Sequence, residues 1–161
     1  MSTKVVGDGV AISVTPVIGT SAYQDQGQFG GIMALTGAAR QKYSISTLVS
    51  VTLADKSKQM NPMTLFFFNE FPNVSSVNGG LLNVPDSEMA SKCIGHVSFT
   101  SGDYAAVSGS SLAVLRLPSS ALVMKSLAEQ GTIYAVAKIN VAGAVYAVGD
   151  VLFRYLFNRD A

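Results

Sequence analysis

The sequence predicts an all-β fold: a single-domain antiparallel β-sandwich, jelly-roll-like, with one or two short helices. Three observations predict it. Apolar residues recur with a period of two, not 3.6, along most of the chain. The alternating runs are short and are separated by clusters of Gly, Asn, Asp and Ser that suit turns. The length, 161 residues of which 48% are hydrophobic, suits one domain and buries roughly 70% of its unfolded surface without disulfides.

The elements follow in order. Residues 1–9 read as a flexible N-terminal arm and residues 10–161 as the sandwich. Val10 to Ile18 alternates but contains Pro16, which suits an edge strand or a bend. Gly30 to Ala39 is a strand opened by the glycine pair Gly30-Gly31. Tyr43 to Ala54 carries the clearest pattern. Tyr43, Ile45, Thr47, Val49, Val51 and Leu53 share one face, the expected inner one, and Ser44, Ser46, Leu48, Ser50, Thr52 and Ala54 the other. Met63 to Glu70, with Leu65-Phe66-Phe67-Phe68, is apolar on both faces and belongs at the centre of a sheet. Cys93 to Thr100, Leu112 to Leu117, Thr132 to Ile139 and Val151 to Phe157 complete about eight strands. Asp55-Lys56-Ser57-Lys58, Asn78-Gly79-Gly80, Ser101-Gly102-Asp103 and Gly109-Ser110-Ser111 supply turn chemistry. A helix over Pro85 to Lys92 has proline at its first turn, Asp86 and Glu88 near its positive end and Lys92 near its negative end. A second helix is expected over Ala121 to Gln130. The long connection between the Phe-rich strand and Cys93 is too long for a hairpin and is expected to cross between two sheets, as in a jelly roll. An immunoglobulin-like sandwich normally has a core Trp and a Cys pair, whereas this chain has no Trp and one Cys.

Charged residues are only 13% of the chain, against about 25% in an ordinary soluble domain. Part of the surface is therefore expected to be covered by partners. The 11 basic and 10 acidic residues are scattered, with no basic stripe to track nucleic acid. No apolar stretch approaches the about 20 residues of a membrane span, and none near the N-terminus resembles a signal peptide. Neither nucleic acid nor membrane is expected as a partner.

No residue pattern carries catalysis or metal binding. Cys93 and His96 are the only Cys and His. Three apart on a strand, they point to opposite faces and do not make a thiol–imidazole pair. A serine nucleophile would have only His96 as base, no Gly-x-Ser-x-Gly elbow is present, and Gly109-Ser110-Ser111 reads as a turn. Zinc needs more ligands than one Cys and one His. Asp86 and Glu88 are explained by the helix start, while Glu70, Asp103 and Asp150 sit beside turns, so no carboxylate pair is assembled. Gly7-Asp8-Gly9 and Gly30-Gly31 lack the spacing of a phosphate-binding loop. Phe66, Phe67, Phe68 and Phe71 read as core more readily than as a stacking platform. The expectation is a structural or binding protein with no cofactor.

Several stretches carry a resemblance. They are Val14-Thr15-Pro16-Val17-Ile18 through Ala22-Tyr23 to Gly30-Gly31-Ile32-Met33; Phe66-Phe67-Phe68-Asn69 with Pro72; Asp86-Ser87-Glu88 followed by Lys92-Cys93-Ile94-Gly95-His96-Val97-Ser98 and Asp103-Tyr104; and Tyr134-Ala135-Val136 with Asp150-Val151-Leu152-Phe153. Their order, over Val10 to Phe157, resembles the small proteins encoded beside the major capsid gene of tailed bacteriophages. The resemblance implies a capsid decoration, or cement, protein made in the host cytoplasm. Such a protein lies on the outer capsid surface and bridges major capsid subunits, commonly as a homotrimer. Val5, Val6 and Val10 in and beside the arm, and Asn73, Val74, Val77 and Asn78 in the long loop, are the candidate contacts. The alternative is a receptor- or glycan-binding sandwich using Phe71 or Tyr104.

Overall fold

The computed structural model describes residues 8–117 and 122–160. Among them are ten strands, one α-helix and two 3₁₀ turns. β1 (Asp8–Val14), β2 (Gln28–Leu35), β3 (Ile45–Asp55) and β4 (Met63–Phe68) precede α1 (Asp86–Lys92). β5 (Cys93–Phe99), β6 (Tyr104–Val107), β7 (Ser110–Arg116), β8 (Val123–Lys125), β9 (Ile133–Ile139) and β10 (Val151–Arg159) follow. One sheet runs β1-β10-β3-β7-β6, with β8 also on β3, and the other runs β2-β9-β4-β5. Every pairing is antiparallel.

With β6 and β8 set aside, the pairing nests. First pairs with last (β1 with β10), second with second-last (β2 with β9), third with third-last (β3 with β7), and the middle two with each other (β4 with β5). That nesting is a long hairpin rolled on itself, the jelly-roll form of a two-sheet sandwich. Between the sheets lie Phe29, Leu65, Phe67, Phe153, Tyr155 and Phe157, none of them accessible to solvent.

The structure corrects four expectations. Of the stretch expected as a helix over Ala121 to Gln130, Ala121 lies outside the described residues, and the rest instead holds β8 and the start of a 3₁₀ turn at Glu129–Gly131. Met124 is buried between exposed Val123 and Lys125, a period of two that the apolar count in this stretch disguised. Tyr104–Val107, absent from the expected strands, is a strand, and Ser108-Gly109 closes its hairpin with β7. The long β3 strand does not keep one face inward. Leu156 pairs with Ser50 but Phe157 with Leu48, so Val49 is an extra residue in a bulge. Ile45 and Val49 consequently point out, Ser46 and Leu48 point in, and Val51 and Leu53 point in again beyond the bulge. Finally, the connection from β4 to β5 does not cross between sheets, because those strands are neighbours in register from Met63 with Phe99 to Phe68 with Cys93.

That connection does something else. Residues 79–82 pair with the start of β2: the Gln28 N–H donates to Gly80 O (2.7 Å), the Gly79 N–H to Gln28 O (2.8 Å) and the Leu82 N–H to Gln26 O (3.0 Å). With α1, the excursion roofs the middle of the outer face of the four-stranded sheet, over β9 and β4. Val136 and Phe68 are on that outer side and are wholly buried although they lie outside the sandwich core. The run Phe66-Phe67-Phe68 is thus apolar on both faces because both faces are covered, as a central strand requires.

Candidate functional site

The residues with chemical potential are dispersed and occupied. Cys93 is half-buried, its burial pushes the thiol pKa up, and its Sγ lies 3.8 Å from the Gly95 carbonyl of its own strand. At neutral pH it is a thiol, a poor nucleophile. His96 is exposed, its ring 5.8 Å from that of Phe66 on the neighbouring strand. Burial raises the phenol pKa values of Tyr104, Tyr146 and Tyr155 well above their ordinary range, which leaves them unfit for proton transfer.

The carboxylates serve their own loops. Asp103 Oδ2 accepts the Thr100 N–H (2.7 Å) in a capping box, and Asp150 Oδ2 accepts the Ala147 N–H (2.8 Å). Glu88 Oε2 accepts the Asn73 N–H and lies 2.8 Å from Lys92 Nζ. The Asn73 N–H and then Lys92 hold the Glu88 carboxyl below its ordinary pKa. Asp55, read from sequence only as a turn residue, is a buried carboxylate. Its Oδ1 accepts the Ser57 N–H (2.9 Å) and hydroxyl (2.6 Å), and its Oδ2 accepts the Gln59 and Met60 N–H groups (2.8 and 3.2 Å). Among the described residues, no group of three or more His, Cys, Asp or Glu is placed to hold a metal ion, and no helix is long and apolar enough to cross a membrane.

The expected contact residues have different fates. Val5 and Val6 lie outside the described residues. Val10 is half-buried in β1 opposite Phe157 and packs on the core, and Asp8 and Gly9 open that strand. Asn73 is tied to Glu88 through its N–H, and Val74 is half-buried. Asn78 is a latch: its Oδ1 accepts both the Tyr23 hydroxyl and the Gly30 N–H, each at 2.7 Å, and so ties the excursion to β2 and to the loop before it. Val77, next to it, is 73% exposed. Of the two aromatics considered for sugar stacking, Tyr104 is buried and donates its hydroxyl to Asn61 O (2.7 Å). Phe71 is exposed, edge-on to Tyr134. Between the excursion and the sheet, Gln26, Phe66, Leu82, Val84, Met89 and Lys138 line a cleft of about 230 Å³. That is smaller than the roughly 300–1,000 Å³ of small-molecule sites.

No protein-family model matches the chain, and no curated protein does. Solved structures give faint likenesses. A chain of the full particle of Israeli acute paralysis virus heated to 63 degrees has TM-score 0.32 at 10% identity, over 94% of this chain and 67% of that one. Turnip yellow mosaic virus gives 0.29 at 10% identity, over 98% and 82%. The extra small virus VLP of the giant freshwater prawn Macrobrachium rosenbergii gives 0.26 at 10% identity, over 100% and 85%. At such scores the likeness carries no weight for role or origin. The jelly-roll assignment rests on the chain's own strand pairing.

What the reactive groups lack, the surface supplies. Val17, Val148 and Val77 are 82%, 74% and 73% exposed on three different loops. The outer side of the six-stranded sheet adds half-exposed Leu112, Val114 and Val123. Sequence alternation does not say which of two apolar faces the chain itself will cover.

Proposed function

We propose that this chain is a structural protein of a tailed-bacteriophage virion that decorates the outer capsid surface and stabilises it by bridging major capsid subunits. The reading has the module acting as a homotrimer, with the arm shortened to residues 1–7 because Asp8 and Gly9 belong to β1, and Val5, Val6, Val10, Asn73, Val74, Val77 and Asn78 among its contacts. The observation that carries it is the large apolar side chains left on the surface of a chain that is only 13% charged, although its core is already filled by buried aromatics. Apolar surface gathered on one face marks protein contact, and half-exposed Leu112, Val114 and Val123 share the outer face of the six-stranded sheet. The resemblance over Val10 to Phe157 supports the tailed-phage setting, and the jelly roll agrees with it, being a fold used for capsid and lectin domains.

The mechanism is coverage. Apolar area removed from water contributes about 25 cal/mol per Å², less the cost of ordering what makes the contact. Three linked copies then hold more firmly than one. Mass spectrometry and immunogold labelling of purified particles are expected to find the protein on the outer surface, and sedimentation equilibrium to find a trimer in solution or on assembly. Particles devoid of the chain, or labelled only after disruption, overturn the reading. Deleting residues 1–7 is expected to weaken attachment without lowering the Tm. The exposed Phe71 ring supports a second reading, a glycan-binding module, for which a glycan array is the test: binding lost on Phe71→Ala, with no affinity for particles, favours it.

A further inference from the structure

The two sheets are covered unequally. The middle of the outer face of the four-stranded sheet, over β9 and β4, lies under the chain's own excursion and α1, to the point that Val136 and Phe68 are wholly buried there, while Ala34 on β2 and His96 and Ser98 on β5 stay exposed. No described segment covers the outer face of the six-stranded sheet. Its register rows can be read across the strands: Leu152, Ala54, Leu112 and Ala105 form one, and Arg154, Thr52 and Val114 the next. Leu156, Ser50 and Arg116 follow, then Asn158, Thr47 and Val123, then Ile45 and Lys125. Within the strands these outward positions hold apolar, small and hydroxyl residues and three cations; one residue past β10, exposed Asp160, whose N–H donates to Ile45 O (3.2 Å), adds a single carboxylate at the end of the face. Strand spacing makes the face roughly 20 Å by 25 Å.

We propose that this face docks the module onto a different protein, one whose surface is apolar at its centre and carries carboxylates opposite Arg116, Arg154 and Lys125. The inference rests on the structural reading above and adds to it the face used and the chemistry of what it meets. Charge selects the partner. Two copies packed face to face would set three cations against three, with only Asp160 at the end of each face to oppose them, which disfavours a second copy. Three separated cations on an apolar sheet are not the dense stripe that neutralises phosphates, which disfavours nucleic acid. The size of the face matches one side of a small, reversible contact, so firm attachment comes from several linked copies.

The test uses the full-length protein and purified particles stripped of it. Wild type, Val114→Glu/Leu156→Glu, Arg116→Glu/Arg154→Glu and a loop control, Val148→Glu, are compared for rebinding, with Tm checked for each. The expected result is rebinding by wild type and control, loss of at least 100-fold for the apolar pair, and roughly 10-fold weakening for the arginine pair that mimics added salt. If wild type rebinds and both pairs rebind equally well, the docking face is elsewhere and the decoration reading stands. If wild type does not rebind at all, both fall. Conversion of an oligomer to monomer by the apolar pair, with rebinding intact, assigns the face to a second copy. Rebinding abolished by nuclease assigns it to nucleic acid. Either result overturns the proposal.

Discussion

Gly131 shows how tightly single residues are specified. It sits at φ +63°, and a Cβ there would lie 2.0 Å from the Ala39 carbonyl oxygen. Gly131→Ala is therefore expected to cost about 3 kcal/mol or more. For a chain of this size that is a Tm fall of roughly 6–12 °C by calorimetry. Gly30, at φ +80° and tight against Pro16, plays a similar part where β2 changes register between Phe29 and Met33. The sequence marks the Gly30-Gly31 pair as the opening of a strand, but it shows neither the backbone Gly30 touches nor the close approach at Gly131. Asp55 makes the same point for a polar group. Asp55→Ala leaves four hydrogen bonds unmade in a buried turn and is expected to cost about 2–3 kcal/mol in urea unfolding. A local pattern identifies the turn, but only the folded loop shows the carboxylate wrapped by Ser57, Gln59 and Met60.

The excursion between β4 and β5 is the element that most reorganises the molecule. Its attachments are few and identifiable: the Asn78 latch, the short pairing with β2, and Glu88 holding the Asn73 N–H. Asn78→Ala is expected to raise hydrogen-exchange rates across residues 69–85 while global stability falls by only about 1 kcal/mol, because a sub-global unit can open alone. Acid should act at the same place. The folded-state pKa of Glu88 is depressed by the Asn73 N–H and Lys92. Its contribution is thus present above the unfolded value and is lost as pH falls through the folded one. Exchange protection in the excursion is expected to drop below about pH 4, and Glu88→Gln to flatten that dependence. Asp8, held low chiefly by its hydrogen bond to Arg159, loosens the β1–β10 edge in the same direction. The helix at Pro85 was legible because proline and paired charges signal locally. The path of the excursion was not, because its partners are about fifty residues away in Tyr23, Gln28 and Gly30.

For the whole molecule, circular dichroism is expected to show a β-dominated spectrum; a helix-dominated one would contradict the nested pairing. The docking face also belongs to this scale, since it is assembled from strands as distant as β3 and β10. Alternation shows that β3, β7 and β10 each have an outward set, and composition shows too few charges to coat an ordinary domain. Neither says that the middle of one sheet is roofed by the chain and the other left bare. The bulge at Val49, which turns Ile45 and Val49 outward, is equally a property of the assembled sheet, set where β3 changes partner from β8 to β7.

Period-two patterning and turn residues act over a few neighbours, so the sequence by itself determined that this is a β-sandwich, where most strands run, and that Cys93, His96 and the loop carboxylates form no obvious reactive set. Strand register, bulges and roofing depend on contacts between distant segments, whose alternatives differ little in local preference. Only the tertiary structure therefore decided which apolar surface is core, which the excursion hides, and which is left facing water.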